Sequence, residues 1–215
     1  VDIGKSAELK QKYPRYEKIN AKGKVVIPGL VNTHQHAAMS LLRGYADDLP
    51  LKEWLENWIW PLEKHMTGRD IYVGALLTAI ESIMGGVTTV NTMYHYVKGG
   101  SEAEAFAEAG LRGVVGHVCF SWRKDEDRKA LMALAKDWHD KAKGLIRVSV
   151  DPHAAYTVDP EYMKDLREVT KELNEKYGSP GSPIMWHMHV AEDEDEPEKI
   201  RQALNVSIQG GEVES

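Results

Sequence analysis

The sequence of 215 residues predicts an α/β fold built on a parallel sheet. Three observations predict it. Short β-prone runs alternate with helical patterns five times along the chain. The helical patterns open on capping signals and close on glycine. The composition, 42% hydrophobic and 28% charged, is that of a chain able to bury one sizeable core.

Taken in order, residues 1–24 carry mixed charge around Tyr13-Pro14-Arg15-Tyr16 and read as loops and short strands. A β-prone run broken by a Pro-Gly turn follows, Val25-Val26-Ile27-Pro28-Gly29-Leu30-Val31-Asn32-Thr33. Thr67 and Asp70 make a T-x-x-D cap. The helix behind it places Val73, Leu76, Leu77, Ile80 and Met84 on one apolar face and stops at Gly85-Gly86. A strand over 87–90 comes next. Ser101 and Glu104 form a second cap, whose helix ends near Gly110, and 113–118 reads as strand. A charged helix over 125–143 ends at Gly144, before a strand over 145–150. Asp159-Pro160 opens a helix with proline in its first turn. Met163, Leu166, Val169 and Leu173 line its buried face, and Gly178 closes it. A strand over 183–190 and a helix over 194–204 complete the series. Strand-then-helix repetition implies right-handed βαβ units; periodicity alone leaves open whether the sheet closes.

Charge and cysteine content narrow the function classes. A net charge of -6 disfavours nucleic-acid and anionic-membrane partners, which call for clustered Lys and Arg. No apolar run approaches the ~20 residues of a membrane span. The start, Val1 to Lys12, is too polar for a signal peptide. The single cysteine, Cys119, excludes an intrachain disulfide and makes a reducing cytoplasm the expected compartment. It reads as a packing residue.

The strongest chemical signal is Thr33-His34-Gln35-His36 at the end of the first βα strand. Residues i and i+2 of a strand share a face, so His34 and His36 project together. Parallel sheets keep their sites at that strand end, and neutral imidazole is the common ligand of Zn and Fe. Alone, H-x-H is a weak signal; a second histidine strand strengthens it. Ile184-Met185-Trp186-His187-Met188-His189-Val190-Ala191-Glu192 ends in histidine, with a carboxylate three residues later. His189 is the expected third ligand and His187 a satisfied core histidine. Glu192 is placed for general acid work on a substrate ring nitrogen.

Pro28 to His36, with Leu41-Leu42-Arg43-Gly44, Leu51-Lys52-Glu53-Trp54-Leu55, Trp60-Pro61-Leu62-Glu63, Asp151-Pro152-His153 and His189-Val190-Ala191-Glu192, resembles the amidohydrolase superfamily. The match is nearest the branch of methylthioadenosine/S-adenosylhomocysteine deaminases and triazine hydrolases, and it runs from about Lys24 to Glu192. The resemblance implies a (β/α)8 TIM-barrel type fold, present here as a partial barrel of about strands 1–5. A short N-terminal β segment precedes it: residues 1–27 form the edge of a small β-sandwich domain and 28–215 the N-terminal half of the barrel. It makes His34, His36 and His189 metal ligands and Glu192 the catalytic, substrate-protonating carboxylate. Glu63 and His153 become substrate contacts, with Trp54 a wall of the pocket. Of Trp54, Trp58 and Trp60, at least two are expected in the core. Strand 4 lacks the lysine of binuclear relatives, so one divalent metal is implied, Zn first and Fe second. The implied activity is hydrolytic deamination of an adenosine-like heterocycle. The alternatives are a triazine-type chlorohydrolase or cyclic-amide hydrolase, and a non-catalytic fragment. A small heterocyclic substrate and further copies of the chain are the expected partners.

Two departures from the pattern stand out. The family's strand-6 histidine and strand-8 aspartate have no counterpart after Glu192, so the chain is expected to lack activity by itself. The branch's strand-3 arginine is replaced by His117, which becomes a candidate substrate contact, with Arg123 or Arg128 as substitutes. His65 and His139 read as solvated. His95, after the second strand, is not counted among the site residues. The acids after Glu192 read as a solvated helix start.

Overall fold

The computed structural model describes residues 2–192, 194–198 and 201. Its strands are β1 (Leu30–Gln35), β2 (Val87–Tyr94), β3 (Arg112–Cys119), β4 (Ile146–Pro152) and β5 (Met185–Trp186). All pair in parallel, in the order β1-β2-β3-β4-β5. Parallel neighbours need crossovers. These are α4 (Gly68–Met84), α5 (Glu102–Ala109), α6 (Lys124–Trp138) with the short α7 (Lys141–Gly144), and α8 (Pro160–Tyr177). Three further short helices are α1 (Ser6–Lys12), α2 (Leu51–Trp54) and α3 (Trp60–Glu63), the last two joined by a π-helical turn, Leu55–Ile59. Because sheet order follows chain order, no switch point divides the sheet. That is the winding of a (β/α)8 wall rather than of an open doubly wound sheet.

The predicted caps form. Thr67 and Asp70 bond each other's backbone N–H reciprocally at the start of α4. Ser101 accepts from the Glu104 N–H, and Gly110 ends α5 in the left-handed region at φ 73°. Asp159 accepts from the Tyr162 N–H with Pro160 in the first turn of α8. Phe106, Leu131, Leu134, Ile146, Leu166 and Leu173 fill the layer between sheet and helices. Cys119 packs there too, as expected.

Several expectations need correction. Among the described residues no strand forms ahead of Leu30: Val25, Val26 and Ile27 are exposed and unpaired, because β-prone residues without a partner strand gain no ladder bonds. α4 buries Ile71, Gly74, Ala75, Thr78 and Ala79, leaving Leu77, Ile80 and Met84 exposed. The charged helix breaks at His139, which is buried rather than solvated: the Val148 N–H donates to its Nδ1, and its Nε2 lies 3.0 Å from the Ser182 carbonyl. β5 is shorter than the run 183–190, although the backbone keeps following β4, with His187 N–H donating to Val150 O and His189 N–H to His153 O. Most of the helix expected over 194–204 lies outside the described residues. Within the acidic run Glu196 is buried, accepting from the Glu192 N–H, and is not solvated.

Candidate metal centre

β1 delivers His34, and His36 follows at its end as the chain turns into a 3-10 segment, Ala37–Leu42. Four hydrogen bonds pin that turn. Ala37 N–H donates to Thr92 Oγ1 and Ala38 N–H to the buried Glu102 carboxyl, while Thr78 Oγ1 donates to Ala37 O and Ser40 Oγ to Gly74 O. A Cβ at Gly74 would stand 2.2 Å from Ala38 O, so only glycine lets α4 come this close. The small-residue face of α4 lets the turn after His36 pack closely against it.

The three imidazoles that the sequence singles out converge. His189 Nε2 lies 3.2 Å from His34 Nε2 and 3.2 Å from His36 Nε2. Their ligand atoms fall within 4.8 Å of one another. His36 Nδ1 is 2.8 Å from the Met93 carbonyl, which can only accept, so its proton sits there and Nε2 is bare. Nitrogens ~2.0–2.1 Å from a tetrahedral Zn²⁺ stand about 3.3 Å apart, so this donor set fits a single such ion. Burial holds the rings neutral: it depresses His34 to about 4 and His189 to about 3, with neighbouring histidines adding to both, and it also lowers His36. Neutral imidazole is the form that binds metal.

A small cavity of about 70 Å³ opens on this cluster, lined by His36, His189, Glu192, Glu63, His153 and Trp54 among others. Glu192 Oε2 is 3.8 Å from His189 Nδ1 and accepts from the Tyr156 hydroxyl. Burial raises the Glu192 carboxyl above its usual range. His153 is buried beside Thr157 Oγ1, 2.8 Å away, and burial depresses it to about 4. Glu63 is not an exposed helix-end charge; its carboxylate stands 3.9 Å from His95 Nε2, and both line the cavity. Trp60, Glu63, Tyr94, His95 and Phe120 also line a wider cavity of about 760 Å³ that continues outward.

Other expectations fare differently. Trp54 and Trp60 face cavities and Trp58 is exposed; Leu55 and Ile59 are the buried pair, because the π-helical turn shifts the helix's register. His117 lines the wider cavity and is buried with both nitrogens engaged. Its Nδ1 accepts from the Tyr96 N–H and its Nε2 faces Asp127 at 3.1 Å. Arg123, held by the same Asp127, lines the wider cavity; Arg128 pairs with Glu172 elsewhere. His65 is exposed, as expected, and His95 lines both cavities. His187 is satisfied, but its partners are His34 and Asp151, a link that single residues did not reveal.

A half-barrel of parallel strands with three imidazoles and a carboxyl at its strand ends defines the class: a barrel protein equipped for a metal ion. The chain belongs to the amidohydrolase family, whose family model matches residues 25–213. It is 40% identical over 188 residues to a 5-methylthioadenosine/S-adenosylhomocysteine deaminase of Caldanaerobacter subterraneus subsp. tengcongensis, covering 84% of this chain and 40% of that protein. It is 39% identical over 202 residues to a 5'-deoxyadenosine deaminase of Methanosarcina mazei, covering 91% of this chain and 44% of that one. The chain thus spans less than half the length of these relatives. Its fold matches a guanine deaminase from C. acetobutylicum solved with bound guanine, with a TM-score of 0.72 and 18% identity over 90% of this chain and 46% of that one. No described helix is long and apolar enough to cross a membrane.

Proposed function

We propose that the chain supplies the metal triad, the general acid and much of the substrate pocket of an aminohydrolase acting on an adenosine-like heterocycle. One observation carries this reading: three imidazole nitrogens meet beside a carboxyl of raised pKa, at the mouth of a cavity. His34, His36 and His189 would hold one divalent ion, Zn²⁺ first and Fe²⁺ second, which supplies Lewis acidity and activates water at neutral pH. Glu192, whose pKa burial raises, donates its proton to a ring nitrogen as the adjacent carbon is attacked. Tyr156 holds that carboxyl in place. Glu63 accepts from substrate hydroxyls, His153 contacts the ring, and Trp54 closes one side. The wider cavity takes the rest of the molecule. His117 serves one step back: it helps hold Asp127, which positions Arg123 on the cavity wall. A reducing cytoplasm suits the buried thiol of Cys119, and the exposed apolar side chains of α4 suit self-association.

The test is ammonia and chloride release from 5'-deoxyadenosine, methylthioadenosine, guanine and a chlorotriazine, by a polypeptide that continues this chain through the remaining barrel strands. Ammonia from the adenosine analogues, falling 10²–10⁴-fold in Glu192→Gln, is expected. Chloride release alone would favour the triazine alternative.

A further inference from the structure

Two polar residues in the barrel interior, Asp151 and His187, take no part in the chemistry proposed for the cavity. Asp151, on β4, is completely buried, and the Oδ1 of its carboxyl has no hydrogen-bond partner among the described residues. Its Oδ2 lies 3.3 Å from His187 Nδ1. The other nitrogen of that ring, Nε2, lies 2.8 Å from His34 Nδ1. The path is thus continuous from a buried carboxylate, through a histidine outside the metal triad, to the back of one histidine within it. Space has been made for it. A Cβ at Gly116, on the neighbouring strand, would stand 1.7 Å from Asp151 Oδ2, so a side chain there is incompatible with this placement of the carboxylate.

The donor roles follow from chemistry. A carboxylate accepts only, so His187 places its proton on Nδ1 and presents a lone pair at Nε2. That lone pair requires a proton on His34 Nδ1, which strips His34 Nε2 bare, and His34 Nε2 is the atom that meets His189 Nε2 at 3.2 Å. His36 reaches the same state through one bond to the Met93 carbonyl. His34 has no such carbonyl among the described residues and is the most exposed of the three ligands. A buried carboxylate is costly unless it is paired, and here its pairing leads to a ligand.

We propose that Asp151 and His187 are positioning residues for the metal centre, fixing the tautomer and ring orientation of His34 so that its Nε2 is presented to the ion. The proposal rests on the reading of His34 as a ligand, and the two are separable by experiment.

The first measurement is the histidine tautomers of the metal-free chain, from long-range proton–nitrogen NMR correlations. His34 is expected protonated on Nδ1 in the native chain and mixed in His187→Phe and Asp151→Ala. The second is Zn²⁺ affinity by competition with a chromophoric chelator. His187→Phe keeps the ring volume, and its affinity is expected to fall about 10–100-fold, as does that of Asp151→Ala. Asp151→Asn keeps an acceptor for His187 Nδ1 and should recover most of the loss, which a general packing defect would not allow. Native affinity in His187→Phe, or an unchanged His34 tautomer in Asp151→Ala, overturns the proposal. A native chain with His34 protonated on Nδ1 but no Zn²⁺ binding overturns the metal reading instead and leaves the relay standing.

Discussion

Burial at single residues sets the electrostatics of the site. Glu102 is the clearest test because it sits inside the protein, one hydrogen bond from the histidine turn. Burial pushes its carboxyl up to about 7, against the opposing bond from Ala38 N–H. The folded value lies above the ordinary 4.5, so the folded state holds a proton that the unfolded state releases first. Stability from this group is therefore complete below pH 4.5 and is lost as pH rises through about 7. Glu102→Gln keeps an acceptor for Ala38 and has no charge to bury, so urea unfolding should show it less pH-sensitive than the native chain between pH 5 and 8. Parallel pH profiles for the two proteins would show that Glu102 is not the buried acid described. The pairing of His34 with His36, and of His187 with His189, was legible because strand periodicity fixes which residues share a face; the choice of His189 over His187 came from its place at the strand tip and from the family resemblance. The Asp151–His187 link was not, because pairing of β4 with β5 decides it, and no single-strand pattern carries that register.

Caps and glycines decide how the elements meet. The helix starts were legible because a capping side chain bonds its own backbone within three residues. Asp159 of α8 shows the strength of this local rule. Its carboxyl also accepts from Ser121 and pairs with Lys124, and these bonds, with the Tyr162 N–H, hold it down to about 2. The folded value is below the ordinary 3.8, so this contribution is present above that pH and lost as pH falls through about 2. Asp159→Ala should cost about 1 kcal/mol at neutral pH, read by urea unfolding, and less below pH 2. The buried face of α4 was not legible. Large apolar residues suggest one stripe, yet the turn after His36 needs a close neighbour, and only Gly74, Ala75 and Ala79 permit that approach. Gly74→Val should cost about 1–3 kcal/mol and weaken metal binding together with stability, measured by thermal melts with and without Zn²⁺. Unchanged metal binding in a destabilised variant would separate α4 from the site.

For the whole molecule, the sequential strand order gathers the ends of β1, β4 and β5 onto one cavity, although His34 and His189 are 155 residues apart in the chain. A ligand that binds only where those ends meet stabilises the assembled sheet. At 100 times its Kd, Zn²⁺ should add about 2.7 kcal/mol to unfolding and raise the Tm accordingly. The expectation of a strand before Pro28 failed at this scale, since a strand exists only where another completes its hydrogen bonds.

Equilibrium dialysis of the purified chain against Zn²⁺, followed by metal analysis, tests the central claim most directly. One ion per chain, lost in His36→Ala and in His189→Ala while both variants remain folded, is the expected result. No bound metal in the native chain, or the same stoichiometry in both variants, would contradict a cation site made by these three histidines.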